Sequence, residues 1–400
     1  KLRNELKHTE PNLPFRGYSD TETLLSCIEH WGLNKTLRLS EGMFAFALFD
    51  RKKRILSLGR DRFGEKPLYY GWQKKEGKEV FLFTSDLASI RIHPLFQGKI
   101  NLEALHLFFK HSYIGGHFSI FEGIRKLEPG SLISLNLKSL KLKSESWWSF
   151  HELVNKQTNN IFSGSPFDAV DLLETKLKKA VYSQMISDVP LGAFLSGGID
   201  SSTTVSLMQS QKGSSIKTFS IGFKEQEYNE ALNAKKIANY LGTDHTELYV
   251  TEEDAINVIA KIPNLYSEPF ADSSQIPTFL VSELAGKDVS VSLSGDAGDE
   301  LFCGYNRYLF TNQLWKKISW SPSIVRKFIA QFLVSIPPDR WNYMGSVFGT
   351  KMLGDKLHKV SRLLQKKTIE EVYLDLVSLW PDASSAFLKK DFRESVLNQM

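Results

Sequence analysis

Cysteine is nearly absent from this sequence. Its only two cysteines, Cys27 and Cys303, lie far apart and have no CxxC spacing. A disulfide framework or a structural zinc site needs more cysteines or closer metal ligands, so neither is expected. Free cysteines in such small number are typical of a reducing compartment, and we expect a cytoplasmic protein.

Long apolar runs and a one-sided charge are also missing. No apolar stretch approaches the roughly 18 residues of a membrane helix, so no membrane partner is expected. The 50 Lys and Arg residues exceed the 45 Asp and Glu residues by five and are scattered along the chain. Nucleic-acid binding favours a basic stripe with interleaved aromatics, so nucleic acid is not an expected partner.

The 400 residues, 42% of them hydrophobic, are typical of a folded protein of two or three domains.

The first part of the chain, residues 1–145, predicts an α+β domain. Apolar residues in SDTETLLSCIEHWG recur with helical spacing, and Ser19 or Asp20 is the expected N-cap. Turn residues separate short β-type runs, which predict antiparallel hairpins. These runs are MFAFALFD, RILSLGR, PLYYGWQ, EVFLFTS and GSLISLNL. RDRFGEKPL, between the second and third runs, predicts a hairpin turn with structural charge pairs.

The pattern changes after a polar stretch, residues 146–168, which predicts a linker. From residue 169 to residue 400, strands such as LGAFL, KTFSIGF and DVSVSLSG alternate with helical segments, and the part after about 305 is helical in spacing. Such alternation predicts an α/β domain whose parallel sheet is covered on both faces. Ligands of these sheets bind beyond the carboxyl ends of the strands, where LSGG, SIGF and SLSGD fall.

LSGGIDSS, residues 195–202, is the first motif with chemical meaning. Its glycines let the backbone approach an anion, its hydroxyls can donate hydrogen bonds, and the following helix directs its dipole at the ligand. The motif lacks the lysine of a Walker-type phosphate loop. Asp200 repels phosphate unless it holds Mg²⁺, which we expect there. A glycine turn with an N-capping serine is the alternative for the octapeptide when it is taken alone.

SLSGDAGDE is the second motif, and it follows an apolar strand. Asp296, Asp299 and Glu300 bring three carboxylates into five residues, which is unfavourable unless a cation or a basic group is shared. A solvated turn with a capping aspartate is the plainer interpretation.

Together these motifs resemble the glutamine-hydrolysing asparagine synthetase family. LSGGIDSS, SEPFADSSQIPT and VSLSGDAGDELFCGYNRY resemble its ATP-dependent domain, and YSDTETLL, EGMFAFALFD and GRDRFGEKPLYYG resemble its glutaminase domain, in the family's order. The resemblance implies an Ntn-hydrolase-like glutaminase domain followed by an adenine-nucleotide α-hydrolase-like domain with a pyrophosphatase loop. It also implies a fragment, which lacks the segment with the N-terminal cysteine and the C-terminal end.

The resemblance implies an activity as well. ATP would adenylate the side-chain carboxylate of aspartate, pyrophosphate would leave, and ammonia from glutamine would form asparagine. ATP as substrate and Mg²⁺ are the implied cofactors, aspartate and glutamine the other small-molecule partners, and a homodimer the implied assembly. The reaction is mostly positioning and charge neutralisation, which suits loop amides and Mg²⁺.

The resemblance also assigns roles to individual residues. Those expected to bind the nucleotide are Leu195, Ser196, Gly197, Gly198, Asp200, Ser201, Ser202, Ile221, Ser294 and Gly295. Asp296, where many members carry Glu, would be catalytic, and Asp200 and Asp299 would hold the metal. Asp20 would bind the ammonium group of glutamine, cap a helix, or do both.

Several alternatives stay open. Asp272 and Ser273 would contribute to the cleft or shape a turn, and Tyr305 with Arg307 would bind an anion or pack a helix start. The same architecture occurs in relatives that form β-lactams or amidate sugars from another carboxylate. A non-catalytic homologue is disfavoured by the intact motifs. A tRNA-modifying ATPase is disfavoured by the mild charge and the glutaminase-like part.

Overall fold

Two regions of different architecture follow one another in the computed structural model, which describes residues 1–158, 160–224, 229–347, 349 and 352–380. The first region is α+β. Its strands are β1 (Ala45–Asp50), β2 (Ile55–Arg60), β3 (Tyr69–Lys75), β4 (Lys78–Thr84), β5 (Ile124–Lys126), β6 (Ser131–Asn136) and β7 (Leu142–Ser146). Its helices are α1 (Leu2–Thr9), α2 (Asp20–Trp31), α3 (Leu33–Leu39), α4 (Leu87–Arg91) and α5 (Leu102–His111).

The strands of the first region form antiparallel sheets in the orders β1-β2-β6-β7 and β4-β3-β5. The hairpins predicted from the alternating runs are present, since β1 pairs with β2 and β3 pairs with β4. Leu58 and Ile133 of one sheet share a buried cluster with Leu68, Leu127 and partly buried residues of the other sheet. Apolar burial between the two sheets therefore builds this core.

The prediction of a hairpin turn at RDRFGEKPL is wrong. β2 pairs with β1 and β6, whereas β3 pairs with β4 and β5, so this segment crosses from one sheet to the other. The charged side chains of Arg60 and Asp61 in this segment bind backbone groups. Arg60 donates to the carbonyls of Lys66, Leu127 and Gly64. Asp61 accepts from two backbone N–H groups within the segment and from that of Phe44 before it.

Helices occupy much of the stretch predicted to be a linker. Helix α6 (Phe150–Gln157) begins at the N-cap Ser149, and α7 (Pro166–Gln184) begins with a capping box in which Ser165 and Asp168 bind each other's backbone N–H groups. A polar composition with Gly and Pro did not distinguish an exposed, well-capped helix from a loop.

The second region is α/β with the predicted parallel sheet. Its strands are β8 (Leu191–Phe194), β9 (Lys217–Phe223), β10 (Asp244–Val250) and β11 (Val291–Leu293), in the order β10-β9-β8-β11. Its helices up to residue 302 are α7, α8 (Ile199–Gln211), α9 (Ala231–Leu241), α10 (Glu252–Ile259), α11 (Ile262–Leu265), α12 (Gln275–Ala285) and α13 (Gly298–Phe302). One buried cluster joins the sheet to α8 and α9, and another joins it to α12, so both faces are covered.

The part after residue 305 is helical, as its spacing predicted. These helices are α14 (Asn306–Ile318), α15 (Ser323–Ser335), α16 (Pro338–Val347), α17 (Leu353–Leu364) and α18 (Ile369–Leu376). Residues 381–400 of the predicted second domain lie outside the described residues.

Candidate nucleotide and acyl-transfer site

The two motifs follow neighbouring strands of the parallel sheet. β8 lies between β9 and β11 and pairs in parallel with both. Since β9 follows β8 on one side and β11 lies on the other, the chain reverses its direction of winding at β8. Ligands of open α/β sheets bind at such a switch point, beyond the carboxyl ends of the strands. LSGGIDSS follows β8 and SGDAGDE follows β11, so both motifs lie there.

Glycine is required at position 197 for two independent reasons. Its φ of +85° is in the left-handed region, and a Cβ there would lie 2.8 Å from the backbone N of Ala234 on α9. Gly198 is the N-cap of α8 and has no side chain of its own to satisfy the first N–H groups of that helix. The loop thus leaves backbone N–H groups at the start of a helix of 13 residues, an arrangement that attracts anions.

The hydroxyl groups of the loop form hydrogen bonds within the loop, to one another and to its backbone. Ser196 and Ser201 share a hydrogen bond of 2.9 Å between their Oγ atoms, and Ser202 Oγ donates to the Gly198 carbonyl over 2.6 Å. These bonds fix the loop on the first turn of α8. An anion that enters the loop would compete for the same hydroxyl groups, which can rotate to meet it.

The second loop packs directly against the first. A Cβ on Gly295 would lie 2.6 Å from the backbone N of Ser201, and a Cβ on Gly298 would lie 2.6 Å from Oδ2 of Asp200. The close atoms at Gly295 are backbone, so that position requires glycine, whereas a Cβ at Gly298 would force the Asp200 side chain to move. The structure therefore brings together two segments that are almost 100 positions apart in the sequence.

The acidic residues of the two loops have different surroundings. Within the described residues, the carboxylates of Asp200 and Asp299 have no hydrogen bond or ion pair, whereas Asp296 accepts a hydrogen bond of 2.9 Å from Ser294 Oγ. Glu300 accepts one of 2.7 Å from the Tyr305 hydroxyl, and this bond, more than burial, raises the pKa of Tyr305 to about 12. No group of three or more metal-ligating side chains occurs in the described parts of the chain.

A cavity of about 350 Å³ lies beside the first loop. Three of the residues predicted to bind the nucleotide line it, namely Leu195, Ser196 and Ile221. Its other lining residues are Phe194, Phe219, Ser220, Phe223, Glu230, Ser274, Pro277, Thr278 and Val281. An apolar cavity with a few polar groups at its edge suits a flat heterocycle joined to a polar sugar.

Sequence reasoning missed several of these residues. Glu230 directly precedes α9, in the connection from β9, and the rule for ligand positions in parallel sheets directs attention to such connections. Ser274 directly precedes α12 and does not follow a strand, so that rule could not have identified it. Asp272 accepts hydrogen bonds from the backbone N and the Oγ of Ser274, which lower its pKa, so its turn-shaping alternative is observed.

Arg307, Asp20 and Cys27 are not among the residues that line this cavity. The Arg307 guanidinium lies 5.1 Å from the ring centroid of Tyr305 at the start of α14, in agreement with the packing alternative. Asp20 is exposed at the first residue of α2, and Ser19 is the N-cap. Cys27 is fully buried on α2, and burial raises the pKa of its thiol, so it is a core residue.

Sequence comparison agrees with this arrangement of domains. The family described as Asparagine synthase matches residues 172–398, and the family described as Glutamine amidotransferase domain matches residues 1–148. The chain belongs to the asparagine synthase family. A Bacillus subtilis protein named asparagine synthetase [glutamine-hydrolyzing] 1 is 31% identical over 348 residues, which cover 84% of this chain and 50% of that protein.

A Methanocaldococcus jannaschii protein, provisionally named asparagine synthetase [glutamine-hydrolyzing] 2, is 37% identical over 304 residues. The match covers 74% of this chain and 56% of that protein. This member of the asparagine synthase family thus spans about half the length of the curated relatives it matches. Among the described residues, none of the helices combines the length and the apolar character that a membrane crossing requires.

Proposed function

We propose that this chain is part of a glutamine-dependent asparagine synthetase, a ligase of asparagine biosynthesis. ATP adenylates the side-chain carboxylate of aspartate, pyrophosphate is released, and ammonia from glutamine converts the acyl-adenylate into asparagine. The observation that carries this proposal is the contact of Gly295 and Gly298 with Asp200 and Ser201 at the switch point, next to the nucleotide-sized cavity.

The reaction needs two steps at this place. A carboxylate oxygen of aspartate bonds to the α-phosphorus of ATP, and the bond from that phosphorus to the bridging oxygen breaks, so pyrophosphate leaves. Ammonia then attacks the acyl carbon, loses a proton, and displaces AMP. In this proposal, the LSGGIDSS loop and the first turn of α8 bind the pyrophosphate. Leu195 and Ile221 flank the adenine, Ser294 and Gly295 contact the adenylate, and Asp296 assists the acyl transfer.

The carboxylates of Asp200 and Asp299 would hold Mg²⁺. Mg²⁺ is commonly bound by one or two carboxylates together with substrate phosphates and water, not by a cage of protein ligands alone. The two free carboxylates on adjoining loops fit that requirement. When bound, the ion neutralises phosphate charge and so favours departure of pyrophosphate.

The proposal extends to finer features of the molecule. The first region would be an Ntn-hydrolase-like glutaminase over residues 1–145, in which Asp20 binds glutamine. Residues 146–168 would join it to an adenine-nucleotide α-hydrolase-like domain over residues 169–400. A cytoplasmic homodimer is the corresponding cellular form, and size-exclusion chromatography with light scattering measures the assembly.

Gly295→Ala tests the proposed function in the full-length protein supplied with aspartate, glutamine, ATP and Mg²⁺. The added Cβ would press on the backbone of Ser201, so we expect asparagine and pyrophosphate formation to fall about 100-fold, the scale of a misplaced reacting group. Gly213→Ala is the matched control, because a Cβ at Gly213 would meet nothing within 4 Å.

The wild-type protein provides the decisive comparison. Asparagine, AMP and pyrophosphate should appear in equal amounts, and each should depend on aspartate. Pyrophosphate release that does not depend on aspartate would refute aspartate as the substrate. Formation of ADP in place of AMP would refute adenylation. Full activity of the Gly295→Ala protein would place the reaction elsewhere.

A further inference from the structure

An ion pair joins the two regions of the molecule. Glu268 of the second region pairs with Lys126 on β5 of the first region, and only 14% and 17% of their side-chain surfaces are exposed. The backbone N of Ile120 donates to Glu268 Oε2 over 3.3 Å, and the hydroxyl of Tyr69 lies 3.5 Å from Oε1. Glu268 thus faces three groups of the first region.

Both charges are held in place by further contacts. Lys126 Nζ donates to the Ile114 carbonyl over 2.6 Å, which fixes its direction. Burial and, next, the charge of Glu268 raise the pKa of Tyr69, so its hydroxyl stays protonated and can donate. A cavity of about 550 Å³, lined in part by Tyr113 and Phe270, opens beside the pair. The pair therefore lies at the edge of this cavity, between the two regions.

The segment that carries Glu268 continues to the nucleotide cavity. Ala271 N donates to the Ser112 carbonyl over 2.8 Å, a second contact with the first region. Asp272 then holds Ser274 at the start of α12. Ser274, Pro277 and Thr278 line the cavity beside Leu195. One short stretch of chain is thus anchored on the first region and forms a wall of the cavity in the second.

We propose that Glu268 is a positioning residue of the nucleotide site. Its ion pair with Lys126 holds residues 266–278 against the first region and so sets the location of the wall formed by Ser274, Pro277 and Thr278. The proposal rests on the function proposed above, because it requires that this cavity binds ATP.

The chemistry of the pair favours this role over one in stability alone. Burying two charges costs desolvation, and apolar residues of similar volume often stabilise a protein as well or better. What a buried pair adds is a defined geometry, since it tolerates few arrangements of the two side chains. Such a geometry is useful where the position of a segment, and not only its attachment, affects a binding site.

Glu268→Gln tests the proposal in the full-length protein. Glutamine keeps the shape, but its single amide oxygen can replace only one of the two carboxylate oxygens that face Ile120 and Tyr69, and it removes the charge that Lys126 requires. We expect the dissociation constant of ATP with Mg²⁺, measured by calorimetry without aspartate, to rise about 2- to 30-fold. With ammonium as nitrogen source, the KM for ATP should rise by a similar factor while kcat changes much less.

Comparison variants separate positioning from a general loss of stability. Lys126→Met should raise the dissociation constant of ATP by the same factor, and the double variant should raise it no further than either single one. Glu268→Asp keeps the charge and should recover part of the affinity. Glu174→Gln is the matched control, because Glu174 pairs with Lys178 over 2.7 Å on the exposed face of α7.

Each outcome decides the question. Affinity for ATP that is unchanged in Glu268→Gln and Lys126→Met, or lowered equally in Glu174→Gln, overturns the proposal. A wild-type protein that binds ATP but forms no asparagine overturns the proposed function only, since the affinities still test Glu268. A wild-type protein that does not bind ATP overturns both.

Discussion

Asp61 is a carboxylate that builds a loop from the inside. Only 1% of the residue is exposed, and its two oxygens accept backbone N–H groups of Phe44, Glu65 and Lys66 at 3.3, 2.9 and 3.0 Å. Its own carbonyl accepts from Gly130 over 2.7 Å. One side chain thus satisfies three partly buried backbone donors where the chain crosses between the two antiparallel sheets.

We expect Asp61→Ala to lower the free energy of unfolding by about 2–4 kcal/mol, because three partly buried N–H groups would lose their shared acceptor. Denaturant unfolding followed by circular dichroism measures the change. Asp50→Ala is the control, since the Asp50 side chain accepts from Lys53 N at an exposed turn, and its loss should cost less than about 1 kcal/mol. Equal effects of the two substitutions would contradict the role given to burial.

At the scale of elements, a buried carboxylate joins two helices of the last part. Asp375 on α18, with 2% of its side chain exposed, binds Arg362 of α17 at 2.6 Å and Lys366 at 2.8 Å. The two cations also reach solvent, so the anion is the member of this group that depends most on its partners. Asp375 therefore links α18 to α17 and to the residues that follow it.

Asp375→Ala should lower the free energy of unfolding by about 3 kcal/mol, the scale of breaking a buried ion pair from one side. Glu174→Ala removes an exposed pair within one helix and should cost less than about 1 kcal/mol. Thermal unfolding of both variants compares the two pairs. Similar melting temperatures would show that Asp375 does not join the helices in solution.

At the scale of the whole molecule, α5 connects the first region with the segment that follows α18. The backbone N of Leu379 donates to the Lys110 carbonyl over 2.8 Å, and the rings of Phe109 and Trp380 meet edge to face. His111 follows on the same helix and faces the backbone of Val377. Burial, then the charges of Lys110 and His106, lower the pKa of His111 to about 4. The imidazole is therefore neutral in the folded protein at neutral pH.

This contact predicts a pH dependence of stability. Between about pH 6.5 and pH 4 the unfolded chain binds a proton at His111 that the folded protein does not. The free energy of unfolding should therefore fall as the pH falls through this window, by at most ~1.4 kcal/mol per pH unit from this group. His111→Asn should reduce the slope of the unfolding free energy against pH. The remaining slope would come in part from His106 and His245, whose pKa values burial also lowers.

Urea unfolding at pH 7, 6, 5 and 4.5 measures this slope. His30→Asn is the control, because His30 is exposed on α2. A His111→Asn protein with the slope of the wild type would mean that the imidazole is hydrated in solution and that α5 and Val377 do not enclose it.

Much of the fold follows from local patterns. Alternating apolar residues predicted the strands up to β4, as well as β6, and the alternation of strands and helices predicted the parallel sheet. Short or weakly patterned elements were missed. β5 has three residues, β7 is largely exposed, and α5 carries apolar residues on more than one face. These elements owe their conformation to partners distant in the chain, which periodicity does not report.

The sequence by itself determined the two loops, the order of the two domains and the family, because glycines, hydroxyls and carboxylates at fixed spacing have local physical requirements. Tertiary structure alone decided that Gly295 lies on Ser201, that Ser274 lines the cavity beside Leu195, and that Glu268 pairs with Lys126. These contacts join residues far apart in the chain. Their formation depends on strand order and on packing between elements, and neither is encoded in any single stretch.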